Sequence, residues 1–325
     1  MKFWQRFFSR WQNWMGLILV AGFIVVAVAA PLLSPNDPEN PGPFKVVGKS
    51  YVLLPQPPTS DAPLGTLPGQ VSISHALIWG TRSAILFGVS VTAISALIGS
   101  LVGSISAYFG GFTNRTLMWF SDSFMTFPII AGVVVIQQII TITLANLGAR
   151  FDRWGGIFFF NAADGNFDFV NQIPSIVDFL QSINPLLISF ILFSWMPYAR
   201  LMNTAVLRIK QSDYVMAARA SGAKNKRIIF RHLLPNAITP VVVLAAKDIG
   251  GFVVLQSTFA FIGFGQGSPW ATILILGRDW IYAPQGILTY WWVFVPATLI
   301  LILFGVGWNL LGDGLNEALN PRIIK

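Results

Sequence analysis

Residues 194–240 read SWMPYARLMNTAVLRIKQSDYVMAARASGAKNKRIIFRHLLPNAITP, a polar, basic stretch set between two apolar runs. Eight of the chain's 21 basic residues fall between positions 198 and 236. Ser212-Asp213 supply a helix N-cap, with Asp213 also suited to the positive end of the dipole. Tyr214, Ala217, Ala218 and Ser221 then recur at i, i+3, i+4 and i+7, one face of a short helix nearly free of bulk. Gly222 stops that helix as a residue able to take the left-handed conformation. A second helix is predicted with Asn225 as cap, ending at Leu234-Pro235 because proline cannot continue it. Small side chains on the first helix let a foreign backbone approach closely. The basic flank (Arg219, Lys224, Lys226, Arg227, Arg231) can steer an acidic partner or rest on anionic lipid, and a plain lipid-facing loop is the competing reading.

Working outward from the loop, the 325 residues are 54% hydrophobic and only 10% charged. A water-soluble chain carries roughly 25% charged residues, so an ordinary soluble enzyme is excluded. Six apolar segments are long enough to cross a bilayer as helices, at 15–33, 83–108, 118–145, 183–199, 237–262 and 290–311. The first follows Lys2, Arg6 and Arg10 like a signal peptide. The flanking Trp4, Trp11 and Trp14 and five further spans favour an uncleaved anchor.

With the N-terminus cytoplasmic, the inside segments 1–14, 109–117, 198–236 and 312–325 hold 14 Lys and Arg, and the outside segments hold 5. This asymmetry predicts a six-helix, all-α bundle with both termini in the cytoplasm. The predicted organisation is an anchor and proline-rich outside loop over 1–81, a five-helix core over 82–311 and a cytoplasmic tail over 312–325. Pro35 to Pro68 keep residues 34–69 extended. Residues 146–182 form a second long outside loop.

Several chemistries fail on spacing. The chain has no cysteine, and its two histidines, His75 and His232, are on opposite sides of the predicted membrane. Gly48-Lys49-Ser50 ends like a phosphate-binding loop, but Pro43 stands where the first glycine belongs and no strand precedes it. Gly263-Phe264-Gly265-Gln266-Gly267 lacks the strand–turn–helix of a dinucleotide site. No nucleophile–base pair can be nominated, so the chain is not read as an enzyme and no cofactor or metal is assigned to it. Asp122, Lys247 and Asp248 are charges within spans, which raises an ion-coupled secondary transporter as the alternative. Lys247 and Asp248 are adjacent and point apart on a helix, and no inverted repeat is visible. Gly99 and Gly103, four apart and preceded by Ser95, offer a small-residue ridge for helix packing.

The loop resembles the "EAA" loop of permease subunits of binding-protein-dependent ABC importers of the dipeptide, oligopeptide and nickel type. The resemblance rests on residues 213–223 (DYVMAARASGA), Arg227-Ile228-Ile229 and Arg231-His232-Leu233-Leu234-Pro235-Asn236. It extends to Pro63-Leu64-Gly65-Thr66, Ala107-Tyr108-Phe109-Gly110-Gly111, Phe127-Pro128, Ser194-Trp195 with Tyr198-Ala199-Arg200, Phe261-Ile262-Gly263-Phe264-Gly265 and the C-terminal GDGLNEALNPR of 312–322. Met216 stands where the family usually has Glu, Gln256 where an acid is common, and residues 146–182 look like an insertion.

The resemblance implies a type I importer permease in a prokaryotic cell membrane. It would be paired with a second permease and served by an extracytoplasmic substrate-binding protein. Two cytosolic ATPases would use ATP and Mg. It further implies that Asp213, Tyr214, Ala217, Ala218, Ser221, Gly222, Arg227, Leu234 and Pro235 form the ATPase-coupling surface. Peptide is the favoured cargo, with nickel, glutathione and oligosaccharide carried by similar scaffolds. No nucleic acid is expected as a partner.

Overall fold

The computed structural model describes residues 3–38, 41–48, 52–153, 157–161, 166–170, 184–264, 268–283 and 286–319. Its helices, in chain order, are α1 (Phe3–Phe7), α2 (Trp11–Leu33), α3 (Ile73–Phe109), α4 (Gly111–Thr126), α5 (Ile129–Arg153) and α6 (Pro185–Ile209). They continue with α7 (Asp213–Ala220), α8 (Asn225–Arg227), a π-helical segment (Ile228–Leu233), α9 (Leu234–Ala237), α10 (Thr239–Phe261), α11 (Pro269–Gly277) and α12 (Trp291–Leu319). The strands form three two-stranded antiparallel ribbons: Thr66–Leu67 with Val71–Ser72, Ile157–Asn161 with Asn166–Val170, and Tyr282–Ala283 with Gly286–Ile287. Most of the 146–182 segment and the phosphate-loop look-alike at Lys49-Ser50 lie outside the described residues, as do Gly265 and the end of the C-terminal signature.

Five helices, α2, α3, α6, α10 and α12, are each long and apolar enough to cross a membrane. The third expected span is not one helix. Gly111–Thr126 and Ile129–Leu144 meet at 94° and pass the same test only as a pair. Pro128 causes the break: its ring drives the preceding residue out of the helical region, and Phe127 sits at φ −78°, ψ 133°.

Three of the other spans run further than hydropathy implies at one end. Helix α3 begins at Ile73, where the Ser72 hydroxyl accepts the His75 amide, and its 37 residues run about 55 Å. Helix α6 continues past Ala199 to Ile209, and α12 past position 311 to Leu319. Polar residues ended the apolar windows in each case, but the backbone hydrogen bonds carry on.

Glycines set the closest helix contacts. A Cβ on Gly99 would collide with the Trp195 carbonyl, and one on Gly103 with the Ala199 carbonyl, so the predicted ridge packs α3 against α6 backbone to backbone. Trp270 of α11 is fully buried in the cluster formed by α2, α3, α10, α11 and α12, and its indole Nε1 donates to the Leu77 carbonyl at 2.9 Å. A second cluster, around Phe190, packs Phe87, Phe252 and Phe259 edge-on.

The two ends of the bundle are tied by polar contacts. At the end that carries the 210–236 loop, Arg10 pairs with Glu317 at 2.6 Å and Lys247 with Asp313 at 2.5 Å. Buried Asn13 donates to the Phe7 carbonyl at 2.8 Å and to Glu317 at 3.3 Å. The C-terminal signature is thus a junction: Gly312 makes room for the Lys247 side chain, and Gly314 for Phe7 and Asn13.

At the opposite end, buried His75 pins the proline-rich segment. The Gly42 carbonyl, 3.0 Å from Nε2, can only accept, so Nε2 carries the proton and Nδ1 accepts from the Ser34 hydroxyl at 2.6 Å. Trp79 Nε1 donates to the Ser34 carbonyl at 2.9 Å. As expected from its prolines, this segment contains no helix among its described residues.

Candidate coupling site

The loop between α6 and α10 is built on a buried apolar floor. Val206, Val215, Ile228, Ile229, Leu233, Ala237 and Val241 pack with Tyr108 and Tyr198 in one cluster. Helix α7 enters that floor through one residue: Val215 is its only buried side chain. Ser212 holds the N-cap position as predicted, but its hydroxyl donates back to the Ile209 carbonyl at 2.7 Å and does not cap an amide.

Gly222 takes φ +76° as expected. Its amide donates to the Arg219 carbonyl at 3.0 Å and the Ala223 amide to the Ala218 carbonyl at 3.1 Å, the paired bonds of a Schellman turn.

The second helix differs from the expectation. Asn225 is its first helical residue, with Lys224 in the N-cap position and no side-chain cap. The helical path does not end at Leu234-Pro235 but runs to Ala237. The segment Ile228–Leu233 widens to π geometry, in which the Leu234 amide reaches back five residues to Ile229. In this wider turn Pro235, which has no N–H to donate, is accommodated.

The predicted site residues divide into two groups. Ala218, Ser221, Gly222 and Arg227 line an open groove of about 460 Å³ together with Ala223, Lys224 and His232. Tyr214 is exposed at its edge, its ring centroid 6.4 Å from that of His232. Asp213 and Ala217 are exposed on the same short helix. Leu234 instead packs into the apolar floor, and Pro235 is exposed at its rim. The groove has cations on its wall and no carboxylate in its lining.

Two residues at the loop's root escaped the sequence reading. Lys210 reaches across from the end of α6 to the last carbonyls of α3, at 3.1 Å from Ala107 and 2.5 Å from Tyr108. That is a favourable place for a cation, at the negative end of a helix dipole. Burial, and secondarily the nearby Arg219, holds the Lys210 ammonium below its ordinary pKa. Tyr108 donates its hydroxyl to Asn225 Oδ1 at 2.6 Å. Neither residue stands in a periodic pattern, and the only signal was Tyr108's place in the Ala107–Gly111 match.

The charges within spans do not converge. Arg200 grips Asp122 through both carboxylate oxygens at 2.6 and 2.7 Å, Lys247 faces Asp313, and Asp248 accepts from the Tyr198 hydroxyl at 2.6 Å. Each is satisfied across a different helix pair, so they form no relay.

The described residues thus form a polytopic helical bundle with a small-faced helix projecting from a basic loop. The family described as binding-protein-dependent transport system inner membrane component matches residues 95–325, and the N-terminal transmembrane domain of oligopeptide transport permease C matches residues 1–58. The chain belongs to this inner-membrane permease family and is a multi-pass permease of an ABC importer. It is 25% identical to the dipeptide transport system permease protein of Alkalihalophilus pseudofirmus over 312 residues, covering 95% of this chain and 85% of the relative. It is 26% identical to the oligopeptide transport system permease protein of Bacillus subtilis over 98% of this chain and 88% of that one. To the glutathione transport system permease protein of Pectobacterium atrosepticum it is 26% identical, over 99% of this chain and 91% of the relative. The membership favours ATP-driven import over the ion-coupled alternative.

Proposed function

We propose that this chain imports peptides as one of two permeases. In this reading the loop end and both termini face the cytosol, and two ATPases dock on α7. An extracytoplasmic binding protein delivers cargo at the opposite end. The observation that carries the reading is the orientation of α7. Val215 anchors it, while Tyr214, Ala217 and Ser221 are turned outward and Ala218 lines an open groove. Asp213, Gly222 and Arg227 complete the docking surface, and Leu234-Pro235 sets the angle at which the loop leaves the bundle.

ATP and Mg act in the partners. This chain contributes a rigid lever whose displacement rocks the spans between inward- and outward-facing states. The distribution of Lys and Arg supports the orientation. The cargo rests on the names of the relatives, which specify dipeptides, oligopeptides and glutathione, all short peptidic molecules.

The absence of cysteine makes the test direct. Ala218→Cys in the assembled transporter is expected to crosslink to a cysteine in the ATPase cleft, and a lack of any crosslink in active vesicles would overturn the docking. Among the described residues, apart from the glycine and its two chain neighbours, nothing lies within 4 Å of a Cβ placed on Gly222. Gly222→Trp is expected to insert normally while abolishing substrate-stimulated ATP hydrolysis, through obstruction of a partner and through strain of the turn at φ +76°.

A further inference from the structure

Tyr108 is 6% exposed in the last turn of α3, and three separate segments of the loop converge on it. Its hydroxyl donates to Asn225 at the start of α8, at 2.6 Å. The guanidinium of Arg219, in the last turn of α7, lies 5.4 Å from its ring centroid, a cation–π distance. Lys210, immediately after α6, lies 5.8 Å from the same centroid while donating to the Tyr108 carbonyl. Lys210 also donates to the Ala107 carbonyl, and the apolar part of the contact is made by Val215, Ile228, Ile229 and Leu233. Apolar burial resists separation but is non-directional, so it does not prevent the loop from sliding over the floor. The hydrogen bond and the cation over the ring are directional and fix the loop's rotation relative to α3.

We propose that Tyr108 is a positioning residue that locks the ATPase-docking loop to α3, so that displacement of the loop moves α3 as part of the same rigid body. Helix α3 is the member through which such motion spreads, because Gly99 and Gly103 key it into the α6 backbone. The proposal rests on the loop being the docking element. Without the lock, the ATPases would still bind and cycle, but the loop would shift over α3 instead of carrying it.

Spin-label distances between Lys226→Cys on the loop and Leu97→Cys on α3, in the complete reconstituted transporter, test this directly. In the parent protein the distance is expected to be the same in the nucleotide-free and vanadate-trapped states. Tyr108→Phe removes only the hydroxyl. It is expected to raise the displaced population in the trapped state about fivefold, the weight of one hydrogen bond. Asn225→Ala removes the same bond from the exposed side and is expected to match it. The double variant is expected to be no worse than either single, and Asn225→Asp, which keeps the acceptor, to behave as the parent. A trapped-state distance unchanged in both Tyr108→Phe and Asn225→Ala, or additive effects, would overturn the proposal. Crosslinking from Ala218→Cys to the ATPase reports separately on docking, so loss of the crosslink identifies failure of the underlying reading rather than of the lock.

Discussion

His75 shows how one buried side chain can hold down an extended segment with no helix among its described residues. Both ring nitrogens are used, one on the Ser34 hydroxyl and one on the Gly42 carbonyl. His75→Ala is expected to leave those groups unpaired, at a cost of about 1–3 kcal/mol. The stretch between them should then be cut faster by protease added at that face of the vesicle, while the membrane spans stay protected. Equal cutting rates in parent and variant would show that other contacts carry the segment. Residue-level features were unevenly legible in the sequence. The left-handed turn at Gly222 could be read because few residues other than glycine adopt φ +76° without strain. The role of His75 could not, because its partners lie 33 and 41 positions away. Tyr108 was hidden for the same reason, its acceptor being 117 positions distant.

Among the elements, the contact between α3 and α6 is the most demanding. Gly103→Leu places a branched side chain where even a Cβ would strike the Ala199 carbonyl. Overpacking of this kind costs about 1–3 kcal/mol or more, so the variant is expected to lose thermal stability in detergent relative to the parent. Gly251→Leu is the control, since a Cβ there meets nothing within 4 Å. If both variants melt with the parent, the packing between α3 and α6 is looser than its geometry implies. Hydropathy located the spans but misjudged ends such as that of α6, where Arg200, paired with Asp122, does not terminate the helix. The kink at Phe127-Pro128 was present in the residues quoted, yet a sliding apolar window averages across it. The π segment was not readable at all: it arises from how the floor residues and Pro235 are accommodated together, not from any local preference.

For the molecule as a whole, Trp270 is the side chain on which the largest cluster closes, touching Phe23 and Phe304 and bonded to Leu77. Trp270→Ala is expected to cost about 3–5 kcal/mol, read as a large drop in the melting midpoint of the purified protein. Trp119→Ala, at a position 69% exposed, should leave that midpoint unchanged. A small shift at Trp270 would mean that the cluster collapses into the gap. The helical, multi-span architecture was legible because apolar content and span number are properties of the entire chain, where errors at single residues cancel. Which helices touch was not: the pairing of Lys247 with Asp313 joins a span to what the sequence presented as a tail.

The shallow seating of α7, with Val215 its one buried side chain, bears on the cell's supply of this subunit. Met216 and Phe230, 53% and 51% exposed, are apolar side chains that an ATPase docked as proposed would cover. Under that docking, a copy that never finds its companion would display the kind of feature that quality-control proteases recognise. Turnover of such orphans would keep the subunits of the finished machine in equal numbers even when they are synthesised unequally.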